Sequence, residues 1–199
     1  EDRPETRFND GAVDRRGRFW AGTMNESDPH GAHGSLYRLD VDGSVHIMDT
    51  GFTVSNGIAW SPDDKIMYFT DSMRSVIYAY DFDVATGMIE NRRPFVTVPD
   101  GEGVPDGMTV DREGFVWSVI ALGCKINRYD PDGMLERDIQ FPVSFVSSCT
   151  FGGRGLGELY ITTGWAPLDE NQKLAEPLAG DLFRVATEIK GIQEPKYLG

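Results

Sequence analysis

Apolar and aromatic positions along the chain recur in short strand-like runs, each of which follows a tight turn. Four such segments are VDRRGRFWAGT from Val13, SPDDKIMYFTDS from Ser61, VDREGFVWSV from Val110 and FGGRGLGELYITT from Phe151. Successive turns are 47, 50 and 43 residues apart, measured at Gly17, Asp64, Gly114 and Gly157. A repeat of this length with strand rather than helical patterning is typical of β-propeller blades.

The segments between these turns support the same repeating unit. Each of them indicates two strands joined by an Asp/Gly or Thr-Gly turn. These segments are GSLYRLDVDGSVHIMDT, SVIYAYDFDVATGMIENRRPFVTV and CKINRYDPDGMLERDIQFP. AGDLFRVA, from Ala179, predicts a further pair of strands, and no pattern indicates an amphipathic helix of ten residues or more. The sequence therefore predicts an all-β chain of about four propeller blades.

Composition narrows the class of protein. The chain has 199 residues, of which 40% are hydrophobic, and this suits one globular domain over residues 1–199. The 19 basic and 32 acidic residues give a net charge of −13, which disfavours nucleic acid as a partner. No apolar run has the length of a membrane span. Two cysteines, Cys124 and Cys149, are interpreted as reduced thiols, which favours a cytoplasmic location.

Polar side chains recur in three short segments, RFNDG, VSNGI and VPDGM, which are predicted to be loops that enter the innermost strand of successive blades. Asn9, Asn56 and Asp106 are 47 and 50 residues apart, which matches the blade repeat. Equivalent positions on successive blades converge on the propeller axis, where amide and carboxylate oxygens suit Ca²⁺, Mg²⁺ or a similar ion. Taken singly, each Asn-Gly or Asp-Gly is more simply a tight turn, with Asp10 as a turn residue, but the periodicity favours a site.

Other polar and aromatic residues have simpler interpretations. His30 and His33 have a spacing that suits a metal, but their glycine-rich loop favours solvent exposure, and His46 is read as a surface residue. Arg7 is either a surface ion-pair residue or a binding group. Ser147–Cys149 is interpreted as part of an inner strand with Cys149 packed, and Trp165 as a residue of a variable loop at a pocket rim. Three further tryptophans are assigned to blade packing, namely Trp20, Trp60 and Trp117.

The same residues carry a family resemblance. The segments that carry it are, in order, RFNDG, GRFWAGTM, SNGIAWSPD, YFTDS, FDVATGMIENRR, VPDGMTVDREGFVWSV, SCTFGG and LYITT. Together they resemble the SMP-30/gluconolactonase/luciferin-regenerating, or regucalcin-like, family. The match extends from Arg7 to the closing GDLFRV segment. The resemblance implies a six-bladed β-propeller with one divalent metal in its central channel and hydrolysis of sugar lactones.

The resemblance also assigns roles to particular residues. It implies that Asn56 and Asp106 bind the metal and that Asp106 is the general base. It implies that Arg7 and Asn9 bind substrate oxygens, with Glu26 as a third substrate contact. Ca²⁺ is the favoured ion, and Zn²⁺, Mn²⁺ and Mg²⁺ are alternatives.

The length of the chain gives a further expectation. By resemblance, about 90 residues of family sequence, with a further glutamate ligand, precede RFNDG, so the chain is read as the C-terminal two-thirds of a six-bladed domain. The expected partners are a small lactone and either the first blades as a separate fragment or a second copy, associated through exposed strand edges. Neither nucleic acid nor a membrane is expected as a partner.

Three functions follow from these observations. The first is a metal-dependent hydrolase of cyclic esters, a gluconolactonase-like enzyme that opens a sugar lactone to its hydroxy acid. The second is a non-catalytic calcium-binding or regulatory protein. The third is a metal-dependent esterase on a similar propeller. The natural lactone is left open, because the loops that would select it are the least repetitive parts of the sequence.

Overall fold

The computed structural model describes residues 4–166 and 168–199, which form four antiparallel sheets. The first sheet contains β1 (Thr6–Val13), β2 (Phe19–Asn25), β3 (Gly34–Leu39) and β4 (Val45–Phe52). The second contains β5 (Ser55–Trp60), β6 (Ile66–Asp71), β7 (Val76–Asp83) and β8 (Met88–Thr97). The third contains β9 (Val104–Val110), β10 (Val116–Ala121), β11 (Lys125–Tyr129) and β12 (Leu135–Gln140). The fourth contains β13 (Val146–Gly152), β14 (Glu158–Thr163) and β15 (Leu182–Ala186).

Strands within each sheet pair in chain order, so that each sheet is an antiparallel meander. Meanders of four strands are the repeating units of propellers, and the first three sheets have this form. Within residues 4–166 and 168–199, helix is limited to one 3-10 turn, Ser72–Arg74, and to α1 (Glu170–Ala175). The expectation that no helix reaches ten residues is therefore confirmed for residues 4–166 and 168–199. No helix in this part of the chain is long and apolar enough to cross a membrane.

Two details of the predicted repeat are corrected. Gly17, Asp64 and Gly114 have the positive φ angles of tight turns, at 77°, 58° and 89°, as their spacing predicts. The fourth turn lies one residue before Gly157, because Leu156 adopts φ 56° and its N–H donates to Gly153 O at 3.3 Å. AGDLFRVA contributes the single strand β15 rather than a pair, since no further strand follows it within residues 168–199.

The strands divide into two compact units. The first extends to Thr97 and includes Glu194–Gly199, and the second is Val98–Gln193. In the first unit, side chains of the first two sheets form one core, comprising Trp20, Leu36, Phe52, Ile58, Trp60, Met67, Phe69, Tyr80 and Phe82. In the second unit, the third and fourth sheets share a core that includes Trp117, Val119, Ile126, Cys149, Phe151, Leu159 and Ile161. The prediction that three tryptophans pack between blades is confirmed, because Trp20, Trp60 and Trp117 are all buried.

Candidate functional site

The three predicted entry loops belong to the first strands of their blades. Asn9 lies in β1, Asn56 in β5 and Asp106 in β9. The prediction that these residues lie in loops before the strands was wrong. It rested on the tendency of Asn, Asp and Gly to interrupt β-structure. Here they are accommodated at irregularities within the strands.

Each first strand contains a β-bulge at this position. Strand pairing shifts between Phe8 and Asp10 in β1, between Asn56 and Ile58 in β5, and opposite Val119 in β9. The fourth bulge lies between Val146 and Ser148 in β13, and it contains Ser147. A bulge leaves one residue outside the regular pairing and changes the direction of its side chain. The four blades therefore repeat an irregularity as well as a strand pattern.

Three of the predicted site residues meet in the first unit. Arg7 Nη1 donates to Asn9 Oδ1 at 3.1 Å, and Arg7 Nη2 lies 3.2 Å from Glu26 Oε1. Glu26 follows β2, whose last residue pairs with Thr6 at the start of β1, so both strands bring their polar groups to one end of the sheet. The side chains of Arg7 and Glu26 are 47% and 74% exposed, so this ion pair contributes little to stability and stays accessible to a ligand.

The amide of Asn9 connects this group to the second blade. Asn9 Nδ2 donates to Ser55 O at 2.9 Å, while its Oδ1 accepts from Arg7. The next residue after Ser55 is Asn56, so the first two bulges lie close together within the first unit. The resulting cluster of Arg7, Asn9 and Glu26, here called the Arg7 cluster, presents a guanidinium, an amide and a carboxylate side by side.

Asn56 is half-buried and its amide has a defined orientation. Asn56 Nδ2 donates to Ser72 Oγ at 3.0 Å, which leaves the carbonyl oxygen on the other side of the amide group. Thr70 pairs directly with Asn56, and its buried Oγ1 has no hydrogen-bond partner among residues 4–166 and 168–199. Because buried hydroxyls are normally satisfied, a water or an ion bound beside Asn56 would complete this environment. The site thus fits an oxygen-liganded group on the side of Asn56.

Asp106 lies in the second unit, half-buried at the bulge of β9. The following residue, Gly107, packs so closely against β13 that an added Cβ would lie 2.3 Å from Ser148 Oγ. Only glycine fits there without a shift of the neighbouring strand. This contact brings the backbone of β9 beside Asp106 against Ser148, next to the fourth bulge.

The prediction of a metal site remains a prediction. Within the described part of the chain, no three His, Cys, Asp or Glu side chains are grouped so as to hold a metal ion. The amide oxygen of Asn56 and the carboxylate of Asp106 are nevertheless donor types that Ca²⁺ and Mg²⁺ prefer. Each of these residues belongs to a different unit.

Asp10 is a residue whose environment the sequence did not reveal. It lies within β1, beside the bulge, rather than in a turn, and its Oδ1 accepts from Gly11 N at 2.7 Å. Burial raises the pKa of this carboxyl, against the opposing effect of the hydrogen bond from Gly11. A bulge cannot be predicted from an Asn-Asp-Gly sequence, so the partial burial of Asp10 had no local signal.

The remaining candidates lie where the simpler interpretations place them. His30 is exposed, and His33 Nε2 lies 3.0 Å from Asp28 Oδ2 in a partly exposed loop. His46 is exposed on β4. Trp165 is 57% exposed in the segment between β14 and β15, with Lys173 Nζ 4.8 Å from its ring centroid.

Comparison with known proteins agrees with this architecture. Residues 1–164 match the family model described as SMP-30/Gluconolactonase/LRE-like region. Regucalcin from Danio rerio is 38% identical over 201 residues, covering 100% of this chain and 68% of that protein. A calcium-binding protein, regucalcin, from Agrobacterium tumefaciens is 29% identical, with a TM-score of 0.92 over 98% of this chain and 65% of its own. A gluconolactonase from Xanthomonas campestris is 35% identical, with a TM-score of 0.67 over 78% of this chain and 53% of its own.

The meanders, their repeated bulges and these similarities define a β-propeller protein, which confirms the predicted fold class. The chain belongs to the SMP-30/gluconolactonase/LRE-like family, as its motifs indicated. It spans about two thirds of the length of the relatives that it matches.

Proposed function

We propose that this protein is a divalent-metal-dependent lactonase that opens a sugar lactone to the corresponding hydroxy acid. The observation that carries the proposal is the Arg7 cluster, which combines hydrogen-bond donors and an acceptor at the residues where the family motif predicts substrate binding. Membership of a family with a gluconolactonase among its relatives supports the reaction class.

In this proposal the Arg7 cluster binds and orients the lactone. A guanidinium supplies directional donors to carbonyl and hydroxyl oxygens, and Glu26 accepts from a sugar hydroxyl. Asp106 accepts a proton from the attacking water as general base. Asn56 and Asp106 are the proposed metal ligands, and a bound divalent metal would polarise the carbonyl and lower the pKa of water.

The test is hydrolysis of D-glucono-1,5-lactone measured above the uncatalysed rate, with and without chelator. Arg7→Ala should lower kcat/KM by about 10- to 100-fold, because a charge-assisted hydrogen bond is lost. Arg93→Ala is a matched control, since Arg93 is also exposed and lies 2.8 Å from Asp81 Oδ1. Asp106→Asn and chelation should each abolish most activity. Equal effects of the two arginine substitutions, or activity that survives chelation, would contradict the proposal.

A second candidate is a non-catalytic calcium-binding protein, which the description of the Agrobacterium tumefaciens relative favours. Calorimetric Ca²⁺ binding that is lost in Asn56→Ala, combined with no turnover of any lactone, would establish it instead. Turnover restricted to aryl esters would favour the esterase alternative.

Location and partners are proposed with the function. A cytoplasmic location is supported by the two cysteines, Cys124 and Cys149, which are unpaired. The proposed partners are a small lactone and a further set of propeller strands, from a separate fragment or a second copy. Light scattering coupled to size exclusion measures this association directly, and a strictly monomeric chain would argue against it.

A further inference from the structure

The fourth bulge holds a polar residue in register with the three predicted site residues. Ser147 follows Asp106 by 41 residues and occupies the corresponding place in β13, one blade further along the chain. Sequence analysis assigned Ser147 only to an inner strand, because Ser-Ser-Cys lacks the Asn-Gly or Asp-Gly signature of the other bulges. The shared register places Ser147 at the same end of its strand as Asp106 in β9.

Ser147 belongs to a pair of hydroxyl groups. Its Oγ lies 2.9 Å from Oγ1 of Thr162, on β14, and either atom can be the donor. Thr162 is exposed, and its Oγ1 also lies 3.4 Å from Ser148 O. Each hydroxyl has one donor and two acceptor positions, so this pair retains hydrogen-bonding capacity for a ligand whichever atom donates.

The bulge that contains Ser147 adjoins the Asp106 bulge of β9 within the second unit. The close approach of Gly107 to Ser148 joins the β9 bulge to the β13 bulge. Thr163, next to Thr162, pairs with Val146 at the start of β13 and precedes the segment that contains Trp165. Two adjacent hydroxyls at this position are chemically matched to the hydroxyl groups of a sugar ring.

We propose that Ser147 and Thr162 form a binding position for a substrate hydroxyl, and that this position selects polyhydroxylated lactones. The inference rests on the proposed lactonase function and adds a specificity-determining group to it. Ser147 and Thr162 bind substrate and take no part in proton transfer.

The test compares two lactones that differ in their hydroxyl groups, D-glucono-1,5-lactone and δ-valerolactone. Ser147→Ala and Thr162→Val should each raise KM for the hydroxylated lactone about 3- to 10-fold, the loss expected for one hydrogen bond. kcat should change less than KM, and δ-valerolactone kinetics should change less than about twofold. The matched control is Thr150→Val, because Thr150 is an exposed threonine on β13, the strand of Ser147. This substitution should leave the kinetics with both lactones unchanged. Unchanged kinetics, or equal changes for both lactones, would overturn the inference.

A binding measurement separates this inference from the proposed reaction. If the unsubstituted protein hydrolyses neither lactone, the lactonase proposal fails, and binding of D-gluconate and 5-hydroxypentanoate is then measured by calorimetry. The inference requires that D-gluconate bind more tightly and that Ser147→Ala weaken this binding about 3- to 10-fold. Absence of gluconate binding, or the same affinity in Ser147→Ala, would overturn it.

Discussion

The thiol of Cys149 lies inside the core of the second unit, where the residue is 5% exposed and its Sγ is 3.6 Å from Trp117 O. Burial raises the pKa of this thiol to about 12, because the thiolate would lose its hydration without gaining a compensating charge. The expected packing of Cys149 is therefore confirmed, and its chemistry follows from its surroundings. Cys124 differs, since it is only partly buried in the turn between β10 and β11.

We predict different reactivities for the two cysteines. A pH of 8 is well below the pKa of Cys149, so this thiol stays protonated. A thiol reagent should therefore modify one cysteine per folded chain and the second only after denaturation. Absorbance measured with an aromatic disulfide reagent gives both counts. Cys124→Ser should remove the reaction of the folded chain, and two rapidly reacting thiols in the folded protein would contradict the prediction.

At the scale of the element, a buried aspartate organises the turn between the first two strands of a blade. Asp14 Oδ2 accepts from Arg18 Nε at 2.6 Å and from Trp20 Nε1 at 2.9 Å. Asp111 makes the corresponding hydrogen bonds in the third blade, where its Oδ2 accepts from Trp117 Nε1 at 2.8 Å and from Arg128 Nη2 at 2.7 Å. The turn sequence thus determines both the reversal of the chain and the position of a core tryptophan.

Substitution of Asp111 should strongly destabilise the protein. Asp111→Asn removes the one fully buried carboxylate among the three that pair with Arg128, the others being Glu113 and Glu136. Because two partners remain, we expect a cost at the low end for a broken buried ion pair, about 3 kcal/mol. Chemical denaturation measures the free energy of unfolding. Asp132→Asn, in the exposed turn between β11 and β12, is the control and should cost less than about 0.5 kcal/mol. Similar losses for the two variants would show that the buried ion pair is not the cause.

At the scale of the whole molecule, the end of the chain returns to the first unit. Glu194–Gly199 is grouped with the first unit, although the second unit precedes it in sequence. Leu198 N donates to Gly17 O at 3.1 Å, and Tyr197 Oη donates to Asp40 O at 3.2 Å. A Cβ added to Gly17 would lie 2.4 Å from Leu198 Cγ, so this turn is in close contact with the C-terminal segment.

A pair of glycine substitutions measures this contact. Gly17→Ala and Gly43→Ala introduce similar backbone strain, because both glycines have positive φ, but only Gly17 adjoins Leu198. Gly43→Ala should cost about 1 kcal/mol of unfolding free energy and Gly17→Ala about 1 kcal/mol more. Deletion of residues 194–199 should make the two costs equal. A difference that persists after the deletion would refute a role for Leu198.

The sequence determined the blades, because alternation and turn chemistry are local properties. Gly17, Asp64 and Gly114 mark three turns correctly, and the polar residues at the bulges recur at the blade period. Motif resemblance further identified the family and selected Arg7, Asn9 and Glu26, which the structure brings together. The fourth turn was misplaced by one residue because Leu156, rather than Gly157, takes the positive φ angle.

Only the tertiary structure decided which residues share an environment. The contact of Asn9 with Ser55, the pairing of Ser147 with Thr162 and the partial burial of Asp10 all depend on bulges and on neighbouring strands. The return of Leu198 to Gly17 joins residues that are far apart in the sequence. Local sequence sets the strand and the turn, whereas the distance between side chains on different strands follows from register and packing.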